Sequence, residues 1–294
     1  MIDIGSLIIR YFGPEAAVSG LRPVSGGDIN DAYLVSLSDG RQFFLKENSR
    51  QNADFFRAEV QGLKAIRETN VIRVPEVIDT GIISGRSYML MEYLPGAKKI
   101  TGYWERFGRE LAAMHRAPAI QITPGGKYGF TEDNYIGAGE QTNTIKSSWI
   151  EFFRDCRLAV QFRRAVVYLD SSDRNKAIHL MDHLEDYLCE PKYPSLLHGD
   201  LWSGNFVTGP DGCACLIDPA VYVGHAEADL AMTELFGGFS SIFYDSYREA
   251  NGIEAGYEDR RDLYNLYHLL NHLNLFGGGY YGSVMRIVRR YTGD

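Results

Sequence analysis

The hydrophobic pattern changes period partway along the chain, and that change limits the possible architectures more than any single motif does. Between residues 21 and 92 the pattern is mainly that of short strands. Residues 32–37 and 42–46 are apolar, β-prone runs flanking Ser38-Asp39-Gly40, and an Asp-Gly between two such runs is a strong hairpin signal. Residues 52–69 follow a helical period instead, with Phe55, Phe56, Leu63 and Ile66 on one face and Asn52 placed to cap the first turn. Short strands are expected again near 75–80 and 87–92. From Gly102 onward the segments are long and amphipathic, at 102–116, 148–169, 173–189 and 261–276. A short β-rich stretch at 196–220, turning at Gly209-Pro210-Asp211-Gly212, lies between the last two. The pattern predicts an α+β chain of two lobes: a small β-rich lobe over 1–92 and a larger α-rich lobe over 93–294, joined at Tyr93-Leu94-Pro95-Gly96. A cleft between two lobes is a common place for a ligand.

Composition removes several alternatives. A chain of 294 residues that is 45% hydrophobic and 23% charged can bury a sizeable core. No run approaches eighteen uninterrupted apolar residues, and MIDIGSLIIRYFG lacks the basic region and cleavage site of a signal peptide. The expectation is a cytoplasmic protein with no membrane partner. Net charge is −8 with the basic residues dispersed, so no nucleic-acid partner is expected. Cys213-Ala-Cys215 has one intervening residue where most zinc half-sites have two, and with Cys156 and Cys189 it reads as a set of reduced thiols.

The densest chemical signal is His198-Gly199-Asp200-Leu201-Trp202-Ser203-Gly204-Asn205, followed by Leu216-Ile217-Asp218-Pro219. Phosphoryl transfer from ATP needs a carboxylate near the incoming hydroxyl and oxygen ligands that fix Mg²⁺ against the phosphates. Asp200 and Asn205 are five residues apart, as in the catalytic loop H-x-D-x-x-x-x-N, and Asp218 follows thirteen residues later at the end of an apolar strand. Asp200 is therefore the candidate base, and Asn205 and Asp218 the candidate metal ligands. In the first lobe Lys46 ends the apolar run Phe43-Phe44-Leu45, and Glu59 falls inside the apolar face of the helix at 52–69. A carboxylate there needs a partner, and pairing with Lys46 would also aim the ammonium at the α- and β-phosphates of ATP. Gly26, Gly27 and Asp28 join two strands ahead of that hairpin, where small residues let backbone N–H groups approach phosphate oxygens. No G-x-x-x-x-G-K-[ST] sequence is present, which disfavours a P-loop NTPase. Backbone groups around Glu92, Tyr93 and Leu94 are candidates for the adenine edge.

Taken together, Ser25 to Asn30, Phe44-Leu45-Lys46, YGFTEDNYIG at 128–137, the segment 149–161, HGDLWSGN at 198–205, IDPAVYVGHAEADLAM at 217–232 and LLNHLNLFGGGY at 269–280 resemble the fructosamine/ketosamine-3-kinase family. That family is related to the aminoglycoside and choline phosphotransferases within the protein-kinase-like fold, and the similarity spans nearly the whole chain. The resemblance implies transfer of the ATP γ-phosphate to the 3-hydroxyl of a fructosamine or ribulosamine, free or protein-bound, in protein deglycation. It also implies structural support of the catalytic loop by Asp229, although a simple carboxylate at a helix N-terminus is as economical a reading. His198 falls in the same supporting group. Asp218-Pro219-Ala220 departs from the Asp-Phe-Gly of protein kinases, and no long activation segment follows. Proline fixes the backbone there and argues against a regulatory flip.

For the acceptor, Trp202 is placed to stack on a sugar or to pack in the core. Asn274 falls on the stripe of Leu263, Leu266, Tyr267 and Leu270, where it needs a hydrogen-bond partner from substrate or backbone. His268 and His272 project away from that stripe, lack the Glu of H-E-x-x-H, and are read as surface histidines. The rival functions are an aminoglycoside- or choline-type phosphotransferase and, in another class, a non-catalytic nucleotide-binding module.

Overall fold

The computed structural model describes residues 2–24, 30–123 and 125–293. It opens with a helix that the sequence pattern did not flag, α1 (Ile4–Phe12), whose N-cap Asp3 accepts from the Ser6 N–H. Leu7 and Ile8 of this helix pack with Val35, Leu45 and Leu90. Strands β1 (Val18–Pro23), β2 (Asp31–Leu37) and β3 (Gln42–Ser49) follow, then helix α2 (Ala53–Glu68), then β4 (Val77–Ile83) and β5 (Arg86–Glu92). They form one antiparallel sheet in the order β1-β2-β3-β5-β4. The hairpin expected at Asp39-Gly40 joins β2 to β3, with Ser36 opposite Gln42.

Strand alternation sorts the two faces of β3. Phe43 and Leu45 pack with α1, while Phe44 packs on the other face with Phe56 of α2, Met89 and Met91. Lys46 shares the parity of Phe44 and so faces α2. That helix buries Phe56, Leu63 and Ile66. Its expected cap is different: the Asn52 side chain does not close the first turn, and its Nδ2 donates to Asn48 Oδ1 at 3.0 Å.

Beyond β5 the chain is mostly helical. In order it forms α3 (Tyr103–Arg116), the hairpin β6 (Asn134–Ile136) and β7 (Gly139–Gln141), α4 (Trp149–Phe152), a π-helical stretch, and α5 (Ala159–Arg164). Next come α6 (Ser171–Asp182), β8 (Ser195–Leu197), β9 (Phe206–Thr208), β10 (Ala214–Leu216) and β11 (Tyr222–Gly224). The chain finishes with α7 (Ala226–Leu235), α8 (Ser241–Asn251), α9 (Tyr257–Phe276) and α10 (Tyr281–Thr292). β9 pairs with β10 and β8 with β11, so the short β-rich stretch becomes two small antiparallel pairs that hold the loops between them. α9 is buried on most sides, its core residues including Leu263, Tyr264, Tyr267, His268 and Leu270. The largest core runs from Leu63 and Ile66 of α2 through α3 and α9 to Val288 of α10, so α2 packs on both the sheet and the helical part. All four cysteines are free, and among the described residues no helix is long and apolar enough to cross a membrane.

Candidate active site

The loop after β8 carries His198, Gly199 and Asp200, and its shape is fixed by contacts that leave little choice of residue. Gly199 has φ +83°, and a Cβ there would lie 2.0 Å from the Ala220 carbonyl oxygen, so only glycine lets the two segments meet. His198 is fully buried. Its Nε2–H donates to the Ile217 carbonyl at 3.0 Å and its Nδ1 accepts from the Asp200 N–H at 3.3 Å. One neutral tautomer satisfies both bonds, in keeping with burial pushing the ring's pKa down. Asp229, on the first turn of α7, accepts from the His198 N–H at 2.7 Å and the Gly199 N–H at 2.8 Å, and lies 3.2 Å from His115 Nε2. Burial works against its charge, but His115 and these bonds hold it below the usual carboxylate range. Its carboxylate thus ties the loop to α7.

Asp200 emerges from this brace with 19% of its side chain exposed. Asn205 Nδ2 donates to the Asp200 carbonyl at 2.8 Å and to Oδ2 at 2.9 Å, so the amide oxygen is the end of Asn205 left to face a cation. Burial pushes the Asp200 carboxyl up to about 7 against the Asn205 bond, with the charges of Asp218 and Asp229 adding to the rise.

On β3, Lys46 sits between two carboxylates. Its Nζ donates to Glu59 Oε1 at 2.7 Å and to Asp218 Oδ1. Burial alone would lower the ammonium's pKa, but Asp218 and Glu59 more than offset it and raise it. Burial pushes Glu59 up to about 7 despite Lys46. Asp218, 45% exposed, is held below the usual range because Lys46 outweighs its enclosure. Asp218 also has φ +53°, a left-handed conformation that costs an L-residue about 1 kcal/mol and that Asp tolerates better than most. The segment behind it is pinned: Asn134 Nδ2 donates to the Val221 carbonyl at 2.7 Å and Gln141 Nε2 to the Ala220 carbonyl at 2.9 Å. Asn134 and Gln141 escaped the sequence reading as site residues, although Asn134 stands inside the YGFTEDNYIG motif. Phe55 of α2 packs at a tilt against Tyr135 of the same hairpin, ring centroids 4.2 Å apart and planes 51° apart.

The remaining candidates divide. Trp202 is half-buried, edge-on to Phe236 at 6.0 Å and packed so closely on Gly204 that a Cβ there would lie 2.4 Å from the indole. Phe236 in turn contacts His272 at 5.0 Å. Asn274 Nδ2 donates to the Gln161 carbonyl at 3.0 Å and to Gln161 Oε1 at 2.7 Å, while its Oδ1 is buried with no hydrogen-bond partner among the described residues. Glu92 ends β5, an inner strand of the sheet, its N–H donating to the Glu76 carbonyl at 2.7 Å and its carboxylate pairing with Arg73. Gly26, Gly27 and Asp28 lie outside the described residues. His268 and His272 are not surface residues. His268 is 3% exposed and its Nδ1 lies 4.0 Å from Asp200 Oδ1, while His272 is half-buried among Phe236, Phe276 and Tyr280. Because α9 is buried on most sides, its one apolar stripe was a poor guide to what the other faces meet.

A two-lobed, protein-kinase-like fold with a lysine paired to two carboxylates and a desolvated aspartate held by an asparagine belongs to an ATP-dependent phosphotransferase acting on a hydroxyl. Residues 2–293 match the sequence model described as fructosamine kinase. The chain is 40% identical to a probable ketoamine kinase of Synechocystis sp., covering 98% of this chain and 95% of that protein. It is also 40% identical to the chloroplastic protein-ribulosamine 3-kinase of Oryza sativa subsp. indica, covering 95% of this chain and 80% of that one. The crystal structure of a putative fructosamine-3-kinase from Haemophilus somnus superposes with a TM-score of 0.86 at 29% identity, over 98% of this chain and 96% of that chain. The chain belongs to the fructosamine kinase family.

Proposed function

We propose that the protein transfers the γ-phosphoryl group of ATP to the 3-hydroxyl of a ketosamine, a fructosamine or ribulosamine either free or on a protein, as a step in protein deglycation. The observation that carries the mechanism is the set of local contacts: Lys46 held between Glu59 and Asp218, and a buried Asp200 held by Asn205. The 3-hydroxyl and the sugar class are supported by family membership and by the names of the relatives. The division of labour follows residues 1–92, which bind the nucleotide, and 93–294, which carry the catalytic loop and the acceptor site.

Lys46, held by Glu59, points its ammonium at the phosphates and orients them. Gly26, Gly27 and Asp28 cover the phosphates with backbone N–H groups, and the main chain around Glu92, Tyr93 and Leu94 meets the adenine edge. Asn205 and Asp218 offer hard oxygen donors of the kind Mg²⁺ prefers. Among the described residues no three His, Cys, Asp or Glu side chains form a cage, which fits an ion bound by one or two side chains plus phosphate oxygens. Bound there, Mg²⁺ would neutralise charge on the β- and γ-phosphates. Asp200 orients the acceptor hydroxyl and takes its proton as the oxygen attacks phosphorus in line with the departing ADP. Its raised pKa suits a base near neutral pH. Trp202 lays its face along the sugar, with Phe236 and His272 behind it. The pinned Ala220 and Val221, and the contact of Phe55 with Tyr135, support a site assembled without an activation switch. We place the protein in the cytoplasm.

The test is a panel of acceptors with ATP and Mg²⁺: ribulose-lysine, fructose-lysine, glycated protein, kanamycin and choline, with the Asp200→Asn protein as blank. Preferential turnover of a ketosamine is expected. Preference for kanamycin or choline would overturn the acceptor class, and no phosphorylated product with any acceptor would favour a nucleotide-binding module.

A further inference from the structure

A buried polar atom beside Asp200 has no partner. His268 is 3% exposed on α9, and its Nδ1 has no hydrogen bond among the described residues. Buried side-chain nitrogens are nearly always paired in folded proteins, and each exception calls for an explanation, a catalytic role or a bound water among them. The ring packs edge-on against Tyr267 at 5.1 Å. Its Nδ1 faces Asp200 Oδ1 at 4.0 Å, while the other oxygen, Oδ2, is held by Asn205 at 2.9 Å.

A separation of 4.0 Å is too long for a hydrogen bond and is one oxygen wide. An oxygen about 2.8 Å from each atom would see them at an angle of about 90°, within the range that water or a hydroxyl accepts. Hydrogen bonds in an unloaded active site are often long and tighten when substrate binds. Burial, with His272 and Arg157 adding, pushes the His268 ring down to about 3, so the ring is neutral and carries one N–H. A neutral donor orients a buried carboxylate without the full ion pair that would weaken it as a base.

We propose that His268 is a positioning residue for Asp200: it donates its Nδ1–H to Oδ1, directly as the site closes on substrate or across one water. One oxygen of the base is then held by Asn205 and the other by His268, and the lone pair left on the carboxylate is fixed toward the acceptor hydroxyl. This rests on Asp200 being the base.

The test compares three substitutions with ATP, Mg²⁺ and ribulose-lysine. Asparagine sets an amide nitrogen near the place of Nδ1, glutamine sets one near the place of Nε2, and leucine provides neither. His268→Leu is expected to lower kcat about 10- to 100-fold, with KM for ATP and for the acceptor each within about threefold of wild type and the melting temperature of the nucleotide-free protein little changed. His268→Asn recovers kcat to within about threefold of wild type, and His268→Gln stays as low as His268→Leu. Wild-type kcat in His268→Leu, or equal activity of the Asn and Gln variants, overturns the proposal. Should the Leu variant not fold, the Asn and Gln pair decides alone. Asp200→Asn, assayed in parallel, separates the two failures. If it is inactive while His268→Leu is fully active, only the role of His268 falls; if it turns over at the wild-type rate, the base assignment itself is wrong.

Discussion

Asp200 and Asp218 stand eighteen residues apart on either side of the same small hairpin, yet the protein treats their charges in opposite ways. Asp218 meets the Lys46 ammonium and stays ionised below the usual range. Asp200 meets neutral groups, the Asn205 amide on one oxygen and the His268 ring across a gap from the other, and burial lifts it to about 7. Environments that push two carboxyls apart assign them different work. An anion that must hold a cation gains from its lysine, whereas a base placed beside that lysine would be quenched.

The comparison breaks most visibly if its cation is removed. Lys46→Met leaves Glu59 and Asp218 facing each other without a counter-charge. We expect kcat/KM for ATP to fall about 100-fold or more and urea unfolding to show a loss of about 3 kcal/mol. Unchanged kinetics would mean that Asp218 does not depend on Lys46. A smaller effect tests the other carboxyl. Because Asp200 has a folded pKa near 7 against an ordinary value of 3.8, the folded chain keeps a proton between those pH values that the unfolded chain has released. Stability therefore falls as pH rises through that window and stays lowered above it. Asp200→Asn abolishes this titration, and the nucleotide-free variant should be about 2 kcal/mol more stable than wild type at pH 8, with the gain gone near pH 4. A pH-independent difference would contradict the desolvation of Asp200. The smallest effect is at the acceptor: Trp202→Ala should raise KM for the ketosamine about tenfold with kcat little changed, since stacking holds substrate and transition state alike.

Much of this site was legible because its signals are local. Asp200, Asn205 and Asp218 keep fixed spacings around one small hairpin, and a carboxylate in the apolar face of α2 required the partner that Lys46 supplies. What escaped depends on long-range packing. α1 and α8 are short amphipathic helices whose partners lie far away in sequence. The Asn52 side chain serves Asn48 and leaves the helix start uncapped, a competition between two local bonds that sequence does not rank. Asn274 interrupts an apolar stripe and needs partners there; Gln161 of α5 answers its Nδ2, while its Oδ1 is buried without one among the described residues. His268 looked exposed for the converse reason. A stripe defines one buried face, and α9 has several. A residue that ended 4.0 Å from the candidate base was therefore one that helical periodicity pointed away from the buried stripe.

The central claim is that Asp200 is the base while Asp218 and Lys46 serve the nucleotide. It is tested most directly by single-turnover assay of Asp200→Asn with ATP, Mg²⁺ and ribulose-lysine, product being followed by phosphorus NMR beside a nucleotide-binding titration. The account predicts a sugar 3-phosphate from the wild-type protein, a rate at least about 1000-fold lower in the variant, and ATP affinity within about threefold of wild type. A variant that phosphorylates the sugar at the wild-type rate, or that loses ATP binding along with turnover, would contradict it.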